Sequence, residues 1–182
     1  MVVVSRSIHI NAPIERVFAL AADPLTRSRL NPGATPIRVE VEGGGPLQAG
    51  SRVHFRLQVG DHIADYHAEV REFVPNRRIV SLAQAHIPFE VSLETEPHDG
   101  GTLLTQTESF EPTEEMLETE LPQQGLRALL PLLRPVLLLL YPDYATRLRR
   151  EEEALLAQRL GERLERWLAA IRDALEARAR PG

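Results

Sequence analysis

Alternating apolar and polar residues open the chain. Val2 to Ile10 alternates and is rich in β-branched side chains, which predicts a strand. Asn11-Ala12-Pro13 then predicts a helix start, with Asn11 as cap and Pro13 in the first turn. Ile14, Val17, Phe18 and residues 20–22 give that helix an apolar side. Asp23-Pro24 restarts a short second helix, which Asn31-Pro32-Gly33 ends. Strand patterns follow at Ile37–Glu42, Ser51–Val59, His62–Val74, Arg78–Gln84, Phe89–Thr95 and Thr102–Phe110. The separators are short and turn-forming: Gly43-Gly44-Gly45-Pro46, Gly60-Asp61, Pro75-Asn76, the region of Pro88, and His98-Asp99-Gly100-Gly101. Short loops between successive strands imply antiparallel hairpins, and the first strand brings the sheet to about seven members.

From Met116 the period turns helical and no strand pattern returns. Residues 126–140 hold nine Leu and one Val, interrupted by Arg127, Pro131, Arg134 and Pro135. That run is too short and too broken to span a membrane. It can lid or plug a pocket, pack a dimer, touch a membrane surface, or add core beside the last helix.

After Tyr141-Pro142-Asp143 a long helix is expected over residues 143–179. Its apolar positions are Leu148, Leu155, Leu156, Leu160, Leu164, Trp167, Leu168, Ile171 and Leu175. The i,i+4 pairs Glu162–Arg166, Arg172–Glu176 and Glu176–Arg180 fall on its wet side. Unbroken, such a helix extends about 55 Å at 1.5 Å per residue, against roughly 40 Å across a domain of this size. A break near Gly161 or an overhanging end is therefore expected. An overhang with residues 148–156 exposed favours a homodimer.

The element order gives an α+β architecture. A meander of this size must bury its concave face. The terminal amphipathic helix is the element long enough to fill that face. Whatever it leaves unfilled becomes a pocket. At 182 residues the chain suits one domain: residues 1–112 as the strand–helix–helix–sheet part, 113–142 as a helical insertion, and 143–179 as the last helix.

Composition mostly removes possibilities. There is no Cys, which excludes disulfides, thiolate catalysis and Cys-based metal sites. All 21 basic residues are Arg, so no Schiff-base lysine is available. A net charge of −5, with 5% aromatic residues, gives no sign of a nucleic-acid partner. His62 and His67 are five apart, and on a strand they face opposite sides. Asp65 and His67 share a face but lack a third ligand, so no metal is expected. Gly43-Gly44-Gly45 leads into Pro46 and a strand instead of a helix, so it is no phosphate loop, and no cofactor is expected. The N-terminus reads as a strand and not as a signal peptide, which makes the cytoplasm the expected location.

Four stretches resemble the START/polyketide-cyclase-like superfamily, also described as the SRPBCC or Bet v 1-like fold. They are SRSIHINAPIERVFALAADP at 5–24, EVREFVPNRRI at 69–79, HIPFE at 86–90 and GGTLLTQTESFEP at 100–112. The resemblance implies a helix-grip fold: a curved antiparallel sheet of about seven strands wrapped around a long C-terminal helix. Similar proteins usually reach the final helix through a short loop, whereas here the Leu-rich segment is inserted. The fold hosts lipid carriers, hormone receptors, cyclases, dehydratases and chaperone cofactors, so it names no reaction.

Candidate chemistry lies on the faces that such a grip turns inward. In the last strand Leu104, Gln106, Glu108 and Phe110 share one face. Glu108 would either carry a raised pKa suited to a general acid or base, or reach solvent or an Arg at the rim. Tyr66, on the less polar face of its strand, is a second candidate for proton transfer, or a core residue whose hydroxyl is satisfied at an edge. His86 stands near the mouth as a possible contact or a plain surface residue. Phe55, Tyr66, His86, Phe89, Gln106, Glu108, Phe110 and Trp167 are thus the expected ligand-binding set, with Glu108 and Tyr66 the candidate catalytic pair. The expected partner is an apolar, lipid-like or polycyclic small molecule. A cyclase or dehydratase, and a protein-interaction module built on the Leu-rich insertion, are the alternatives.

Overall fold

A computed structural model describes residues 1–112 and 142–177. The segment expected to lid the pocket, fill it or form an interface lies almost wholly outside the described residues. Strand β1 (Val2–Ile10) leads into helices α1 (Ile14–Ala21) and α2 (Pro24–Arg29). Six strands follow: β2 (Thr35–Val41), β3 (Arg52–Val59), β4 (His62–Val74), β5 (Arg78–Gln84), β6 (Phe89–His98) and β7 (Gly101–Phe110). Helix α3 (Pro142–Ala177) closes the described chain. All seven strands form one antiparallel sheet in the order β1-β7-β6-β5-β4-β3-β2. This is the helix-grip architecture the resemblance implied. The two helices that follow β1 carry the chain from one edge of the sheet to the other.

Local chemistry explains most boundaries. Asp23 caps α2 by accepting the Thr26 N–H at 3.1 Å and the Thr26 hydroxyl at 2.6 Å. Asn11 does not cap α1. The cap position is Pro13, without a side-chain bond, and Asn11 instead donates its backbone N–H to Glu176 of α3 at 2.9 Å. A β-turn closes the β6–β7 hairpin at Asp99-Gly100, whose φ values of 45° and 76° give the twist that two-residue hairpin loops need. A register shift between Val70 and Glu72 places a bulge in the thirteen-residue β4 and helps bend the sheet.

The core forms where α3 crosses the concave face. Leu164, Leu168, Ile171 and Leu175 pack with Val2, Val4, Ile10, Val17, Phe18 and Leu104. Helix α3 runs unbroken for 36 residues, about 54 Å at 1.5 Å per residue, so the expected break at Gly161 does not occur. Gly161 serves clearance instead. A side chain there would collide with the guanidinium of Arg6, which comes in from β1 and pairs with Glu165 of the same helix. Leu156 is fully buried, which removes part of the exposed stretch expected to drive dimerisation, whereas Leu155 is exposed. The expected i,i+4 pair Arg172–Glu176 is replaced: Arg172 turns to Asp173 and Glu176 receives Asn11. Among the described residues no helix is long and apolar enough to cross a membrane.

Candidate functional site

The period-two pattern aims one set of side chains from five adjacent strands into the space under α2 and α3. Val53, Phe55 and Leu57 come from β3, Tyr66 and Ala68 from β4, Ile79, Ser81 and Ala83 from β5, Phe89 and Val91 from β6, and Gln106 and Glu108 from β7. Arg27 and Ser28 of α2 and Trp167 of α3 close the other side. The cavity measures about 220 Å³. A second cavity of about 480 Å³ shares the walls formed by Tyr66, Phe89 and Glu108. It adds Ile63, Ile87, His86, Phe110 and Leu160.

Every residue of the expected ligand-binding set touches one of these spaces. Phe55, Gln106 and Trp167 line the first, His86 and Phe110 the second, and Tyr66, Phe89 and Glu108 both. His86 is exposed, in the bend between β5 and β6. Phe55 and Tyr66 stack at 5.2 Å with their planes 16° apart, and Phe89 meets Tyr66 edge-on at 5.5 Å. Together they make an aromatic wall.

The polar groups in this wall are few. Gln106 is fully buried and donates from Nε2 to Glu108 Oε1 at 2.7 Å, while its own Oε1 has no donor. Burial pushes the Glu108 carboxyl above the usual carboxylate range, opposed by the Gln106 bond and by Arg27. Burial likewise pushes the Tyr66 phenol up to about 12. Arg27 itself is lowered from the usual guanidinium value by burial, and it remains a cation at neutral pH. Its guanidinium lies over the Trp167 ring at 5.8 Å, and its carbonyl accepts the indole N–H at 3.0 Å.

Sequence reasoning did not single out Arg27, Ser28 or Asn31, all of which line the first cavity. Pro24, Arg27, Ser28 and Asn31 follow the i, i+3, i+4, i+7 spacing of one helical face, a signal that was present in the chain. Asp65 and His67 stand on the outer face of the sheet. There His54 bonds Asp65 at 2.7 Å and stacks on His67 at 4.6 Å, and His67 bonds Glu42 at 3.0 Å. Among the described residues no group of three His, Cys, Asp or Glu is placed to hold a metal ion.

The Glu108 environment makes a stability prediction. A carboxyl raised on folding binds more protons in the native than in the unfolded state, between its ordinary value of 4.5 and its raised one. Stability therefore falls as pH rises through that window, and the penalty persists above it. Glu108→Gln removes the penalty. Its melting temperature should exceed that of the parent near pH 8. The gain should vanish below pH 4, where both states of the parent are protonated. A constant difference from pH 4 to 8 in thermal melts would contradict this assignment.

Residues 1–131 match the family model described as polyketide cyclase / dehydrase and lipid transport. No curated protein matches the chain. Among solved structures, TTHA0849 of Thermus thermophilus is similar with a TM-score of 0.61 at 18% identity, over 98% of this chain and 99% of that one. The Zhui aromatase/cyclase of a Streptomyces species is similar with a TM-score of 0.59 at 17% identity, over 98% and 95%. A Staphylococcus epidermidis protein solved by NMR gives a TM-score of 0.60 at 14% identity, over 99% and 93%. At these identities the likeness is one of fold.

Proposed function

The chain belongs to the polyketide cyclase / dehydrase and lipid transport family, and from that premise we propose that it binds an apolar, lipid-like or polycyclic small molecule between its sheet and α3. The observation that carries the reading is the wall itself: Phe55, Tyr66 and Phe89 packed together beside Val53, Leu57 and Val91, around space that the core leaves unfilled. Apolar walls with a few fixed polar groups are what such ligands require, the former for affinity and the latter for orientation. The neutral fluorophore N-phenyl-1-naphthylamine should bind saturably with one site per chain. Native mass spectrometry of gently purified protein should show a copurifying small molecule or uptake of added apolar ligand. Absence of both, with a folded protein, would end this reading.

One observation favours a second reading as an enzyme. Glu108 is a carboxyl held toward its neutral form inside the cavity, next to Gln106 and near Tyr66. In that form it could hand a proton to a departing hydroxyl, as a dehydration requires. A bound hydroxylated ligand that loses one water in the parent and not in Glu108→Gln would favour the enzyme. Recovery of the ligand unchanged in both proteins would favour the carrier.

A further inference from the structure

Arg27 is the part of the cavity wall that a purely apolar ligand leaves unused. Arg27 is half-buried, and drawing a guanidinium even partly out of water is expensive unless something pairs with it. Among the described residues no carboxylate lies within ion-pairing distance of Arg27, and the one hydrogen bond of its guanidinium there is a long 3.4 Å contact from Nη1 to the Ala21 carbonyl. Asp23, the acid of its own helix, is occupied by Thr26. Glu108 is occupied by Gln106. The guanidinium lies over the Trp167 ring at 5.8 Å, and the same indole bonds the Arg27 backbone carbonyl, which ties α2 to α3 beside the cavity. A planar fork with unused N–H groups at the wall of an apolar cavity matches a carboxylate, which it can bind through two parallel bonds. Ser28 is buried, lines the same cavity next in sequence, and adds a hydroxyl there. A single cation beside a carboxyl such as Glu108 suits a monoanion better than a doubly charged phosphate.

We propose that the cavity is built for an amphiphilic acid, whose apolar body lies against Phe55, Tyr66 and Phe89 and whose one carboxylate sits on Arg27. This rests on the binding reading above and adds the chemical class of the head group.

Competition against N-phenyl-1-naphthylamine at neutral pH, with decanoate and decan-1-ol as matched competitors, separates the two claims. An uncharged cavity would rank the alcohol far ahead, because the anion must be stripped of water. Here decanoate should compete at least as well as decan-1-ol. Arg27→Gln should weaken decanoate by about tenfold or more while decan-1-ol changes by less than about twofold. Arg27→Lys, which keeps the charge but lacks the planar fork, should bind decanoate more weakly than the parent and more tightly than Arg27→Gln. Should Arg27→Gln fail to fold, the rank order in the parent and the behaviour of Arg27→Lys decide the matter. A parent that prefers the alcohol by more than about tenfold, or an Arg27→Gln variant that weakens both competitors alike, overturns the carboxylate assignment and leaves the apolar-ligand reading standing. A folded parent that takes up neither the probe nor either competitor overturns both.

Discussion

Ala83→Phe should weaken uptake of an apolar ligand at least about tenfold while leaving the protein folded. Ala83 lies on β5 between Ala68 of β4 and Phe89 of β6, and all three line the cavity between sheet and helix. A phenyl ring at this position enters space of about 220 Å³ that an apolar body would otherwise occupy. Because the ring fills a void and its neighbour Ala68 is small, the overpacking penalty should stay at or below about 1–3 kcal/mol. Titration with N-phenyl-1-naphthylamine should show an apparent Kd raised by at least about tenfold, equivalent to about 1.4 kcal/mol. A thermal melt should still show one cooperative transition. Undiminished uptake by the folded variant would mean that the dye binds elsewhere.

Leu168→Ala should be among the most damaging single substitutions. Leu168 is 1% exposed and sits in the cluster that joins α3 to β1, β7 and α1. Truncating a buried Leu loses its transfer energy and leaves a void, together about 2–5 kcal/mol. For a chain of this length each kcal/mol moves the midpoint by roughly 2–4 °C, so a fall of the order of 10 °C is expected. Leu155→Ala on the same helix should lose less than about 1 kcal/mol, because Leu155 is 38% exposed. Equal losses at the two positions would contradict the placement of α3 with its 164–175 stripe in the grip.

The inward face of the sheet was legible in the chain because strand alternation leaves little choice. With Leu104 and Phe110 on one face of β7, Gln106 and Glu108 had to join them, and the cavity shows that they do. The bounds of β4 and β5 were read to the residue for the same reason. The end of β6 was not. The expected strand stopped at Thr95, yet the strand continues through Pro97 to His98. Pairing with β5 ends at Glu94, so beyond it Pro97 has a partner only on the β7 side, and its missing N–H leaves no gap. Gly161 looked like a weak point in a helix because the sequence does not show that Arg6, 155 positions earlier, needs the room. Arg27 was overlooked because a six-residue helix is too short for its period to stand out, and because a charged residue there is ordinarily assigned to solvent. The site was thus legible where local geometry fixed it, and hidden where a distant element supplied the reason.

Trp167 is the only tryptophan of the chain and it lines the first cavity, so it reports directly on occupancy. Quenching by bromine requires near contact with the indole. Titration with 10-bromodecan-1-ol should quench Trp167 emission saturably at one ligand per chain, while unbrominated decan-1-ol competes without quenching and Ala83→Phe weakens the effect. Displacement of a bound probe by the brominated ligand without any saturable quenching of Trp167 would place the ligand outside the grip and contradict the central claim.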